Sequence, residues 1–375
     1  MPDEPLRRDG PERQHEQSRP YELLRRRLTS QLLAGPVPRG PEAVIGVTER
    51  LLAIQAQDPR GARLAIRARS RGATAADVDR ALSEDRSLLI TWLGRGTLHL
   101  VTADDYPLLQ ALTTPQLVVA SDRRLAQEGV TRSGVRRGIA TIERALADDG
   151  PLGIAALRER VDTAGVATAG QAMIHLLFRA SLEGLIVRGP VSGPEQRYAL
   201  MSDWLPSAAD AVARIAADRD RALRELALRY LAGHGPASER DLAKWAGLTL
   251  RDARAGLASL GGRLRTRDGG LVELDDAPRV AKLRGPTLLG AFEPVLMGWC
   301  SREPVLGEHD ARVVTGGIFR AFALAPVADD PTGRAVATWK FSRDGVELSP
   351  FGPLDDDRRD ALTRDGQDLL RFLGR

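Results

Sequence analysis

The chain has 375 residues, 43% of them hydrophobic and 28% charged, with a formal net charge of +4. That is the balance of a soluble globular protein with core enough for two or three domains; no run approaches the ~18 apolar residues of a membrane helix. A single cysteine, Cys300, excludes an intramolecular disulfide and a multi-cysteine zinc or iron–sulfur site.

Residues 1–19 are polar and charged, without the apolar stretch of a secretory leader, and read as a disordered tail; the expected location is the cytoplasm. Helices are expected over Tyr21–Leu33, from Gly40-Pro41 to about Ile54, and over Ala75–Leu82. Leu88–Val101 reads as strand with a turn at Gly94-Arg95-Gly96. Residues 132–210 and 211–283 hold two copies of one plan. In the first, helices at Gly138–Ala147, Gly153–Val161 and Thr168–Leu182 precede strands at Leu185–Arg188 and Gln196–Leu200. In the second, Arg219–Ala232, Glu239–Trp245 (capped by Ser238, ended by Gly247) and a helix from Thr249 to Leu260 precede a hairpin around Asp268-Gly269-Gly270. Three helices and a hairpin make the winged-helix plan, and residues 20–131 are a candidate for a third such unit. Residues 284–375 make the last unit, strand-rich and cut by Gly and Pro over 284–352. They suggest a small β-barrel closed by a helix over Asp355–Phe372. The fold class is therefore α+β.

The chemistry-bearing segment is Leu51-Leu52-Ala53-Ile54-Gln55-Ala56-Gln57-Asp58-Pro59. Pro59 turns Asp58 away from helical dihedrals, and on an extended segment Gln55 and Gln57 share a face. Two amides there either serve ordinary capping and backbone hydrogen bonds or converge on one small target. The adjacent Asp58 carboxylate leaves a second water-activating group open. Arg60, Arg63 and Arg67 fall at i, i+3 and i+7, one basic edge if the segment is helical; Arg69 and Arg71 follow. They form either a solvated face or phosphate contacts. Along Thr91-Trp92-Leu93-Gly94-Arg95-Gly96-Thr97-Leu98-His99-Leu100, alternation puts Thr97 and His99 on one face. That face is either the wall of a cleft or a strand with a core histidine.

The five histidines are scattered, so no metal and no cofactor are expected. Of 54 basic residues only Lys244, Lys282 and Lys340 are lysines. The arginine excess is either codon bias or phosphate affinity. No phosphate-binding loop, dinucleotide fingerprint or nucleophile elbow is present. No lysine sits beside the glutamines in sequence, so no amine nucleophile is expected.

The glutamine segment, the Arg95-Gly96-Thr97-Leu98-His99 segment and a C-terminal block together resemble the AlkZ-like family of DNA glycosylases over residues 20–352. That block comprises Phe292-Glu293-Pro294-Val295-Leu296-Met297-Gly298-Trp299-Cys300-Ser301-Arg302, Gly317-Ile318-Phe319-Arg320 and the strand around Lys340. The family's motif ends Asp-Arg; Ser301 stands in place of the Asp, so only Arg302 carries over. Sister AlkX/YcaQ-like enzymes carry Asp where this chain has Gln57. The resemblance implies a DNA glycosylase acting on duplex DNA with bulky N7-alkylguanine, crosslinks included, in repair or self-resistance to alkylating natural products. It implies a monomer with tandem winged helices around a concave channel. Gln55 and Gln57 would be catalytic, and Arg60, Arg63, Arg95, Thr97, His99, Arg302, Arg320 and Lys340 would contact DNA. The tip 328–334 would probe a groove. The alternative is a non-catalytic winged-helix regulator.

Overall fold

The computed structural model describes residues 11–192, 195–326, 333–343 and 345–375. The chain opens with α1 (Pro11–Ser30), which takes in residues 11–19 of the expected tail; residues 1–10 lie outside the described part. Next come α2 (Ala43–Leu51), β1 (Ile54–Gln55), α3 (Pro59–Arg67) and α4 (Ala75–Ser83). Asp58 caps α3 by accepting the Arg60 N–H, with Pro59 in its first turn, and Thr74 with Asp77 forms a capping box on α4. The hairpin β2 (Leu88–Leu93) and β3 (Thr97–Thr102) follows as expected, then α5 (Tyr106–Thr113) and α6 (Val118–Gln127).

The first repeated unit is α7 (Arg132–Asp149), α8 (Ile154–Thr163), α9 (Ala172–Leu182), β4 (Ile186–Ser192) and β5 (Glu195–Leu200). Its hairpin does not stand alone. Ile90 of β2 pairs with Arg188 of β4, giving one antiparallel sheet in the order β1-β3-β2-β4-β5. Residues 20–131 and 132–210 thus share a sheet, and they share a core: Val47, Ile54, Ile90 and Leu100 pack in one cluster with Ile142, Leu157 and Leu176. The third helix of the unit, α9, lies against α6, where Arg179 pairs with Asp122 at 2.8 Å and Arg124 donates to His175.

After α10 (Met201–Trp204) and α11 (Ala208–Ala217) comes the second unit: α12 (Arg219–His234), α13 (Glu239–Ala246), α14 (Leu250–Ala258), β6 (Leu264–Arg267) and β7 (Leu271–Leu274). Here the expected caps hold. Ser238 and Asp241 form a capping box, Gly247 ends α13 in the left-handed region, and Thr249 caps α14. The β6–β7 hairpin forms a two-stranded sheet of its own, and the outer face of α14, with Arg251 and Arg254, is exposed.

The C-terminal block contains β8 (Thr287–Leu289), α15 (Pro294–Met297), α16 (Glu303–Leu306), α17 (Asp310–Val313), the short pair β9 (Val314–Thr315) and β10 (Ile318–Phe319), then β11 (Phe322–Leu324), β12 (Ala335–Ser342), β13 (Gly345–Pro350) and α18 (Asp356–Phe372). Among the described residues the expected barrel is not closed. The described strands make an open sheet in the order β13-β12-β11-β8. Its edge strands β13 and β8 do not pair, so the sheet stays open. The sheet buries its apolar face instead against α18, where Leu362, Leu369 and Phe372 meet Leu288, Ala323 and Trp339. The tip at 328–334 falls mostly outside the described residues. No described helix is long and apolar enough to cross a membrane.

Candidate active site

Leu52 ends α2. It is fully buried, with φ +62°, a conformation that costs a branched side chain about 1–3 kcal/mol and is held by the packing around it. The turn sends the chain into β1, which pairs with β3 so that Ile54 faces Leu100 and Gln55 faces His99. Pairing fixes the two faces of the strand. Ile54 and Ala56 enter the apolar core with Leu98 and Leu100, while Gln55 falls on the other face with Thr97, His99 and, across β2, Thr91.

The two amides are committed in opposite senses. Gln57, exposed, uses its Oε1 to accept the Leu98 N–H at 3.1 Å. Only the carbonyl end can accept, so its NH2 is left to donate outward. Gln55 is buried, and its Oε1 has no partner. The Oγ1 atoms of Thr91 and Thr97 are also buried and unpartnered. Such groups are rare, because each forfeits hydrogen bonds it had in water. Three of them on one sheet face describe a surface built to meet a polar ligand.

His99 is held neutral. Burial, with a smaller contribution from the Arg95 cation, pushes its pKa down to about 4, while its contact with the Thr97 carbonyl opposes the shift. The 2.9 Å contact to that carbonyl makes Nδ1 the protonated nitrogen and leaves Nε2 an acceptor. Asp58 is spent on capping α3, with Oδ1 3.0 Å from the Arg60 N–H.

Two close backbone approaches bring the remaining parts in. Gly61, in the first turn of α3, lies against the 290–292 segment; a methyl there would stand 2.4 Å from the Ala291 carbonyl oxygen. Gly247, at φ +69°, meets the β2–β3 turn, and a methyl there would stand 2.5 Å from the Gly94 oxygen. The 292–302 segment is pinned from behind. Glu293 forms a fully buried ion pair with Arg69, the Trp299 indole donates to the His234 carbonyl at 2.9 Å, and the Cys300 N–H donates to Asp241 at 2.7 Å.

The result is a cavity of about 390 Å³ lined by Gln55, Gln57, Arg95, Thr97, Lys244 and Arg302, with Phe292, Met297, Trp299, Gly317 and Phe319. Its lining holds three cations and no carboxylate. Burial lowers the Arg95 pKa; a hydrogen bond and charge from Asp310, 2.7 Å away, raise that of Arg302. Phe292, another residue with positive φ, packs its ring 5.3 Å from Phe319, over which Arg302 also sits.

Of the residues singled out in sequence, Gln55, Gln57, Arg95, Thr97 and Arg302 meet in this cavity, and His99, which pairs with Gln55 across the strands, does not line it. Arg60, Arg63, Arg320 and Lys340 do not line it. The α3 segment is helical as its spacing requires, but the basic edge is largely neutralised. Arg63 pairs with Asp79, Arg67 with Asp365 and Asp368, and Arg69 with Glu293; Arg60 remains exposed over the Phe341 ring. Lys340 pairs with Glu347 at 3.2 Å, and Arg320 is exposed. Lys244 corrects the expectation that no amine adjoins the glutamines. It reaches them from α13, 187 residues away in sequence, and donates to the Cys300 carbonyl at 3.2 Å.

Comparison with known proteins gives the family. Residues 48–372 match the family model described as DNA glycosylase AlkZ-like. The chain belongs to the AlkZ-like DNA glycosylase family. Among solved structures it is similar to the Streptomyces sahachiroi DNA glycosylase AlkZ, at 21% identity and TM-score 0.70, over 94% of this chain and 96% of that one. At that identity the AlkZ likeness speaks for the fold. No curated protein matches.

Proposed function

We propose that this member of the AlkZ-like family is a monofunctional DNA glycosylase that releases bulky N7-alkylguanine, interstrand crosslinks included, from duplex DNA. The observation that supports it is the opposed commitment of Gln55 and Gln57. One unpartnered acceptor and one outward donor on the same strand face suit a single water molecule, whose hydrogen Gln55 Oε1 accepts and whose lone pair the Gln57 NH2 meets. An amide cannot take a proton outright, so the reaction must need little help. N7-alkylguanine meets that condition: its imidazole ring is already cationic, and the C1′–N9 bond is weakened before binding. The bond breaks with its electron pair going to the base, which leaves as neutral 7-alkylguanine. The sugar passes through an oxocarbenium-like state. The oriented water bonds to C1′, loses one proton to solvent and keeps the other as the C1′ hydroxyl, leaving an abasic site. Positioning and electrostatics carry the rate.

Arg95, Lys244 and Arg302 are placed to hold the phosphates flanking the lesion, and the absence of a carboxylate in the lining suits a polyanionic backbone. The two helix–helix–helix–hairpin units serve as winged helices along a channel for the duplex, the second offering the open face of α14. The protein acts as a monomer in the cytoplasm, in repair or in self-resistance to alkylating natural products.

The test is base release. Purified protein is incubated with duplex carrying N7-methylguanine or a bulkier N7 adduct, and alkali then cuts the abasic sites. Strand cleavage dependent on both glutamines supports the reading; tight binding without base loss across the adduct panel rejects it. Because Lys244 lies in the cavity, the monofunctional part has its own check. Borohydride added to protein and abasic duplex should trap no covalent adduct, and an adduct absent from Lys244→Arg would contradict it.

A further inference from the structure

A second charged cavity, of about 540 Å³, lies among the C-terminal end of α3, the 70–74 turn, the 284–287 loop and α18. Four guanidiniums line it, those of Arg67, Arg71, Arg284 and Arg371, against two carboxylates, Asp365 and Asp368. Both carboxylates are already engaged. Asp365 accepts from Arg67 at 2.5 and 3.0 Å and from the Leu288 N–H at 2.7 Å. Asp368 accepts from Arg67 at 3.2 Å and from Arg371 at 2.5 Å. Arg284 receives neither: its Nη2 donates to the Ala68 carbonyl at 2.5 Å, and its Nη1 is buried with no partner. No carboxylate pairs with Arg71 among the described residues. Burial, then the surrounding Arg71, Arg69 and Arg67 cations, push the Arg284 pKa down to about 10 against the pull of Asp365.

The cavity therefore carries two uncompensated positive charges and an N–H aimed at nothing. Burying a guanidinium N–H without an acceptor is costly, and the planar fork of arginine matches the oxygens of a phosphate. We propose that this cavity is a phosphate-binding site, completed by an oxyanion that bridges Arg71 and Arg284. Two sources carry that chemistry. α3 begins two residues after Gln57 and runs about 13 Å to the cavity at 1.5 Å per residue, within reach of a DNA-backbone phosphate; free inorganic phosphate is the other. The inference does not rest on the glycosylase reading, because binding is measured without base release.

The test is calorimetric titration of the full-length protein with inorganic phosphate. One saturable site is expected, with affinity at least about tenfold weaker in Arg71→Gln and in Arg284→Gln, the scale of a lost charge-assisted hydrogen bond. Arg214→Gln, on the exposed face of α11, should bind like the parent. Arg71 is exposed, so its variant carries the test if Arg284→Gln does not fold. A second arm measures binding of undamaged duplex against salt. If the ligand is a backbone phosphate, phosphate competes with the duplex and each variant lowers the salt slope by about one. If it is the free anion, duplex affinity is unchanged while phosphate binding is lost. Phosphate binding that is absent or equal in all variants, with an unchanged salt slope, overturns the proposal. Base release in the same variants reports separately on the glycosylase reading.

Discussion

The two faces of the β1-β3-β2-β4-β5 sheet are made by alternate residues of the same strands, and they differ at one patch. One face buries Ile54, Ile90, Leu98 and Leu100 in a continuous apolar core. The other buries Leu89, Leu93 and Val101 in a second apolar core and interrupts it with Gln55, Thr91 and Thr97, whose buried oxygens have no partner. Both faces lower the free energy of the folded chain by apolar burial, but the second leaves part of that gain unused at its polar patch. A sheet that tolerates three unsatisfied groups on one side is holding them for something else to satisfy.

The sharpest ways to break this comparison act on what holds the faces in place. Arg69→Met leaves Glu293 buried without its cation, and should cost about 3–5 kcal/mol in chemical denaturation; a loss below about 1 kcal/mol would show that the pair does not anchor the 292–302 segment. On the apolar face, Ile54→Ala should cost about 2–5 kcal/mol, while base release per folded molecule stays near that of the parent. If activity falls as far as it does in the glutamine variants, the two faces are not separable. A smaller effect is expected from acid. His99 and His234 are held neutral by burial, with pKa values of about 4 and about 3 against an ordinary 6.5. Between 6.5 and those values the unfolded chain binds protons that the folded chain refuses. Stability is therefore complete above about pH 6.5 and lost progressively as pH falls to about 4 for His99 and about 3 for His234. Acid unfolding followed by circular dichroism should show this, with a shallower slope in His99→Gln; an unchanged slope would mean that His99 does not carry the effect. Smallest of all, Gln57→Leu should shift stability by no more than about 1 kcal/mol, because its amide is exposed and gives up one hydrogen bond.

Much of this was legible in the sequence where local chemistry decides. Ser238, Gly247 and Thr249 mark the ends of α13 and α14 because caps and left-handed turns are chosen by the residues that make them. Alternation along Trp92–Leu100 put Thr97 and His99 on one face because strand periodicity is local. What was not legible depended on long-range partners. Arg60, Arg63 and Arg67 read as one basic edge, yet Arg63 and Arg67 take counter-ions from Asp79 and Asp365, as Arg69 beyond them does from Glu293, and helical spacing cannot reveal these. Lys244 was set aside for its distance along the chain, but Gly247 and Gly94 meet back to back and carry it to the glutamines. The strand-rich C-terminal block suggested closure, but its edge strands β8 and β13 do not pair and α18 covers the sheet instead. Sequence likewise placed a separate hairpin at 185–200, whereas the pairing of Ile90 with Arg188 merges it into the central sheet.

The most direct measurement compares Gln55→Leu with the parent protein in single-turnover release of N7-methylguanine from duplex DNA, alongside the thermal midpoint of each. The account predicts that release falls by about 10²-fold or more while the midpoint stays level or rises, since the variant removes a buried carbonyl that has no partner. Undiminished release from Gln55→Leu, or a loss of release matched by unfolding, would contradict it.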